Sequence, residues 1–171
     1  MNFAFYTVDT TYCDFLRKTD LRVPYTMDQK SIRPFVGIVF SVNSFHYYAP
    51  LTSPKHKHLH MKNQLDFLKI KDGEWGAINF NNMIPVPPAC LTKVEFRILE
   101  TDTKPDIDYK NLLSNQLSWC NTHKDTILKQ AEKLYSMIIH RKAWNTLAER
   151  CCDFTLCEQQ CLLYEEGFSK T

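Results

Sequence analysis

Residues 50–60 read PLTSPKHKHLH. Thr52 and Ser53 offer two hydroxyls beside prolines, and Lys55, His56, Lys57, His58 and His60 follow as basic or protonatable side chains. Three kinds of chemistry are open to such a stretch. Hydroxyls, lysine ammonium groups and the amides of a turn together suit a phosphate. His56, His58 and His60 alternate, so in a strand they would share one face, and three imidazoles can bind a transition metal. The same run also describes a plain solvated edge.

The surrounding sequence narrows the choice. No GxSxG elbow is present for an acyl-transfer serine. Paired carboxylates are missing near the turn, where the next acid is Asp66. Arg33 precedes the strand predicted to pair with the one entering the turn, and its planar guanidinium suits bidentate phosphate contact. Tyr12, Tyr25, Tyr47 and Tyr48 are candidate stacking surfaces for unpaired bases, although one of Tyr47 and Tyr48 must point inward by strand alternation. The chemistry left is metal-free and cationic. RNA cleavage by its own ribose hydroxyl fits, because the nucleophile is already on the substrate and fixed positive charge can stabilise a crowded phosphorane. A non-catalytic RNA-binding module would use the same groove, with steep salt dependence.

A second cluster, Cys151, Cys152, Cys157 and Cys161, contains no CxxC pair. Cys157 and Cys161 share one face of a helix and read as small buried apolar residues. The chain has seven cysteines and an N-terminus without a basic, then apolar, leader. Reduced thiols in a cytoplasm are expected. The 171 residues, 44% hydrophobic and 23% charged, suit a single domain with a full core. Four glycines and no GxGxxG argue against a glycine-rich nucleotide loop, and a net charge of +2 does not by itself imply nucleic acid. No apolar run approaches a membrane span.

The elements that must hold these groups follow from periodicity. Residues 2–8 read as a strand, with Asp9 or Thr10 capping a short helix through Phe15 or Leu16. Residues 20–34 are a loop. FVGIVFSV (35–42) and FHYYAP (45–50) form a hairpin around Asn43-Ser44. LDFLKI (65–70) and WGAINF (75–80) form another across Asp72-Gly73. MIPVPP ends pairing, and CLTKVEFRIL (90–99) is a last strand or the start of a connection. After Pro105 the apolar spacing becomes helical, with a break at 121–123. Thr155 and Glu158 suggest a capping box and Gly167 a helix stop. Residues 1–104 are thus mainly sheet and 105–171 mainly helical, which is an α+β protein.

FVGIVF, then YYAPLTSPK, then GAINFNNMIPVP occur in an order and spacing that resemble the ToxN and AbiQ family of toxins from type III toxin–antitoxin systems. FYTVDTTY, YKNLLSNQL and CDFTLCEQ extend the resemblance over most of the chain. It implies a strongly twisted antiparallel sheet flanked by helices, similar to the MazF and Kid toxins. It also implies a metal-independent, sequence-selective endoribonuclease that needs no cofactor, cuts cellular or phage RNA and aborts phage infection. The implied partner is a small pseudoknot antitoxin RNA, cut by the toxin from a repetitive precursor and closing with it into a cyclic assembly.

Residue by residue, Thr52, Ser53 and Lys55 match the family's PLTSPK motif, and Arg33 stands where many members have lysine. Tyr12 matches a tyrosine of the short first helix. Tyr25 stands for a loop tyrosine in a loop of different length, and Ser114 replaces a tyrosine that some members carry. The HKHLH tail lies outside the pattern. The expected catalytic set is Ser53, Thr52, Lys55 and Arg33, and the expected RNA contacts are Tyr12, Tyr25, Lys30, Lys57 and His58. Lys55 and Arg33 would neutralise the scissile phosphate, Thr52 and Ser53 would hold its oxygens or the attacking hydroxyl, and His56 or His58 could serve as base. The histidines would charge below about pH 6.5 and tighten RNA binding in mild acid.

Overall fold

The computed structural model describes residues 2–25 and 33–169. The chain runs β1 (Ala4–Val8), α1 (Thr10–Arg17), β2 (Phe35–Val42), β3 (Phe45–Thr52), α2 (His56–His60), β4 (Phe67–Lys69), β5 (Ala77–Asn79), β6 (Ile84–Pro85) and β7 (Leu91–Lys93). Four helices follow: α3 (Lys104–Thr122), α4 (Lys124–Ile139), α5 (Asn145–Arg150) and α6 (Phe154–Ser169). The seven strands form one antiparallel sheet in the order β4-β5-β3-β2-β1-β7, with β6 also beside β3. Strands come first and helices second, as the change of period predicts, so the protein is α+β. Among the described residues no helix is long and apolar enough to cross a membrane.

Local chemistry explains the boundaries. The Asp9 carboxylate accepts the Thr11 N–H at 2.8 Å and starts α1. Asn43 takes a φ of 52°, which lets β2 turn tightly into β3. Thr103 and Asp106 cap α3 reciprocally, with the Thr103 N–H donating to the Asp106 carboxylate at 2.9 Å. The predicted break separates α3 from α4 at His123.

The two tyrosines of β3 pack on opposite sides of the sheet. Tyr47 lies under α4 and α6, against Tyr135 and Phe154. The Glu158 carboxylate accepts both the Tyr47 and Tyr135 hydroxyls, at 2.8 Å each, and so ties the helices to the sheet. Tyr48 meets Tyr6 edge to face at 5.5 Å. Gly37 makes room for it, since a Cβ there would fall 2.1 Å from Tyr48 Cδ1. Burying each such large side chain contributes about 1.5–3 kcal/mol. Neither tyrosine is a base-stacking surface, because both are buried.

Several boundaries differ from the sequence expectation. HKHLH is the helix α2, so the three histidines do not share a strand face. The hairpin of β4 and β5 turns through a wider loop than Asp72-Gly73 alone, with the Ile70 N–H donating to the Gly76 carbonyl. MIPVPP does not end pairing: Ile84 and Pro85 pair with Tyr48 and Tyr47. A proline can hold such an edge position because only its missing N–H is lost from the ladder. Of residues 90–99, only Leu91–Lys93 forms a strand. The start of α6 is capped by Asp153, whose carboxylate accepts the Leu156 N–H at 3.0 Å, and not by Thr155. Gly167 lies inside α6.

Candidate active site

β3 runs two residues further than the alternation suggests, because Leu51 and Thr52 pair with Ile78 and Ala77 of β5. Thr52 is thereby fixed at a strand end and nearly buried, while Ser53, Pro54 and Lys55 emerge exposed. Two glycines of the neighbouring hairpin make the seat. Gly76 has a φ of +91°, and a Cβ there would fall 2.1 Å from the Thr52 carbonyl. Gly73 has a φ of +95°, and a Cβ there would fall 2.5 Å from the His58 carbonyl. Only glycine adopts this left-handed backbone without strain while allowing so close an approach.

A cleft of about 320 Å³ brings together Arg33, Thr52, Lys55, Lys57 and His58. Ser53 adjoins this lining through its chain neighbour Thr52. The helical half adds a residue that sequence reasoning missed, Arg150 at the end of α5. Arg150 Nε donates to Asp66 Oδ2 at 2.9 Å, and Nη2 donates to Asp66 Oδ1 at 3.2 Å. Gln64 Oε1 accepts from Nη2 at 3.3 Å. Asp66 is buried and, through its carbonyl, anchored to the Phe80 N–H. Its hydrogen bonds to Arg150 stabilise the guanidinium charge. The lining therefore holds four cations and one carboxylate, which concentrates positive potential where a polyanion would lie.

His58 is the buried member of α2, at 2% exposure. Burial first, then the Lys55 and Lys57 charges, holds its imidazole below the usual histidine value. Its burial removes it from the exposed groove wall expected of an RNA contact, and its charging is displaced to lower pH than that of a free histidine. His56 and His60 lie one turn apart on the exposed side, with ring centroids 5.2 Å apart. Among the described residues no group of three or more His, Cys, Asp or Glu side chains is arranged to hold a metal ion.

Other expected contacts fall elsewhere. Tyr12 is fully buried, and its hydroxyl donates to the Pro85 carbonyl at 2.6 Å. Burial, then Cys161, drives its phenol far above the usual tyrosine value, so Tyr12 braces α1 against β6 instead of stacking on a base. Tyr25 is exposed, with the Arg17 guanidinium 4.6 Å over its ring, and its neighbour Pro24 lines a small hollow with Arg33. Lys30 lies outside the described residues. Cys151, Cys152, Cys157 and Cys161 are buried in the core, as expected of small apolar residues.

Comparison with known proteins gives a consistent picture. The family described as toxin ToxN of type III toxin–antitoxin systems matches residues 4–161. The endoribonuclease ToxN of Bacillus thuringiensis subsp. kurstaki is 30% identical, with 96% of this chain and 86% of that protein covered. A solved structure from a study of type III systems, concerning selective toxin inhibition by a non-coding RNA pseudoknot, has a TM-score of 0.80 at 30% identity and covers 97% of this chain and 99% of that one. AbiQ, a lactococcal anti-phage endoribonuclease, has a TM-score of 0.81 at 26% identity over 97% of this chain and 99% of its own.

Proposed function

The chain belongs to the ToxN family of toxins from type III toxin–antitoxin systems, and on that premise we propose that it is a metal-independent, sequence-selective endoribonuclease. The observation that carries the mechanism is the common cleft of Arg33, Thr52 and Lys55, with Ser53 beside it. Lys55 and Arg33 stabilise charge as the ribose 2′ hydroxyl attacks the adjacent phosphorus. Thr52 and Ser53 hold the non-bridging oxygens or the attacking hydroxyl. The 2′ hydroxyl gives up its proton as it bonds to phosphorus, the bond to the 5′ oxygen breaks and that oxygen takes up a proton, leaving a cyclic phosphate on one product and a 5′ hydroxyl on the other. Arg150, already oriented by Asp66 and Gln64, contacts a neighbouring phosphate of the same strand. Tyr25, Lys30 and Lys57 extend the RNA track.

The resemblance supports the wider setting. The protein works in the cytoplasm as one toxin domain over residues 1–171, on a twisted MazF/Kid-like sheet. It processes a repetitive precursor into a pseudoknot antitoxin that inhibits it in a cyclic protein–RNA assembly, and it defends against phage. Expression of wild-type and Ser53→Ala protein in bacteria tests the activity. Wild-type protein should arrest growth and fragment RNA, and the variant should do neither. Equal, unimpaired growth with intact RNA in both strains would overturn the reading.

A further inference from the structure

Lys55 enters the cleft from an exposed turn, and a flexible four-carbon side chain does not define by itself where its ammonium points. Lys55 is the N-cap of α2, and His58 engages both of its main-chain polar groups. The His58 N–H donates to the Lys55 carbonyl at 2.9 Å, and the Lys55 N–H donates to His58 Nδ1 at 3.3 Å. Both main-chain polar groups of the lysine thus terminate on His58. The imidazole is itself confined: Phe67 of β4 lies with its ring centroid 5.7 Å away, and Gly73 closes on the His58 carbonyl from behind. A neutral ring whose Nδ1 accepts a hydrogen bond carries its proton on Nε2. Its only lone pair in the ring plane is then engaged by Lys55, which removes His58 from the candidate bases.

We infer that His58 is a positioning residue: its Nδ1 grips the Lys55 amide and thereby sets the Ser53-Pro54-Lys55 turn against the scissile phosphate. The inference rests on the endoribonuclease reading above. Protonation would turn Nδ1 into a donor and break the grip. Lys55 and Lys57 lie on its own segment, Arg33, Asp66 and Arg150 share the cleft, and the loop that closes on it through Gly73 carries Lys71, Asp72 and Glu74. Asp66 is already bound to Arg150 and Glu74 to Lys71, and the charges that act on the ring are those of Lys55 and Lys57, so the imidazolium gains little from the acids. The grip is therefore intact above the unfolded histidine value of about 6.5 and fails as pH falls through the lower value of the folded protein.

Two variants separate this role from general packing. His58→Asn puts an amide oxygen where Nδ1 stands, whereas His58→Gln reaches towards the Nε2 position instead. Cleavage of single-stranded RNA is measured for both and for wild type from neutral to acid pH, with thermal unfolding in parallel. His58→Gln should lose roughly 100-fold in kcat with KM little changed. His58→Asn should recover most of that loss and lack the acid fall-off of the wild type. In wild-type protein carrying 15N-histidine, His58 should read as the Nε2–H tautomer at neutral pH. Full activity in His58→Gln, no advantage of His58→Asn over it at equal thermal stability, or an Nδ1–H tautomer would each overturn the inference. Wild-type protein that leaves RNA whole would instead overturn the endoribonuclease reading, while the 15N spectra would still report on the grip.

Discussion

Two walls of the cleft differ in how they are built. The sheet wall carries Arg33, Thr52, Lys55 and Lys57, which lie on or beside β2, β3 and α2. The helical wall carries Arg150, delivered by α5 and anchored 84 residues away in sequence on Asp66. On the sheet wall, rigidity comes from backbone: Thr52 is pinned by the ladder to β5, and the turn is seated on Gly76. On the helical wall it comes from side chains alone, through the bonds to Asp66 and Gln64. A fixed backbone leaves only the side chains to be ordered at each turnover, so the chemistry belongs on the first wall and substrate retention on the second.

The sharpest way to break this division is Lys55→Ala. Removing a preorganised cation from the reacting phosphate should lower kcat roughly 100- to 1,000-fold, with little change in RNA affinity. A change confined to KM, in single-turnover cleavage, would move Lys55 to the retaining wall. Arg150→Ala should act more weakly and differently. Cleavage should fall about tenfold through KM, equivalent to about 1.4 kcal/mol. The slope of log affinity against log salt should flatten by about 0.7, as for one lost single-strand phosphate contact. The variant should also lose about 1–3 kcal/mol of stability, because the buried Asp66 carboxylate is left without its partner. With Arg150 43% exposed, solvent screening keeps the loss towards the lower end. Tyr12→Phe belongs to neither wall. It should cost about 1–3 kcal/mol in denaturant unfolding by orphaning the Pro85 carbonyl, and leave cleavage per folded molecule unchanged. A fall in kcat for that variant would return Tyr12 to the RNA path.

The same contrast explains what could be read from the chain. The Thr52 to Lys55 group was legible because its members are neighbours in sequence, although the point where it emerges was not, since pairing with β5 carries β3 on to Thr52. The α2 helix was not, because its buried residue is a histidine; no apolar periodicity marks a helix when the inward position is polar. Tyr12 carried the family pattern, but pattern does not reveal burial, and its hydroxyl turned inward to a carbonyl on β6. Arg150 sits in a stretch with no motif, and only the isolated acid Asp66, far upstream, hinted that a cation must come to meet it.

The buried cysteines have a practical consequence. All seven are buried in the folded chain. Burial pushes Cys13 and Cys151 up to about 12, and Cys90 and Cys161 up to about 11. At neutral pH these are protonated, shielded thiols that an alkylating reagent meets only after the surrounding element has opened. Because they are strung from α1 to α6, the mass added by a brief pulse of such a reagent records which part of a molecule came apart. The toxin thus carries a built-in ledger of its own unfolding, written in sulfur and readable without any introduced label.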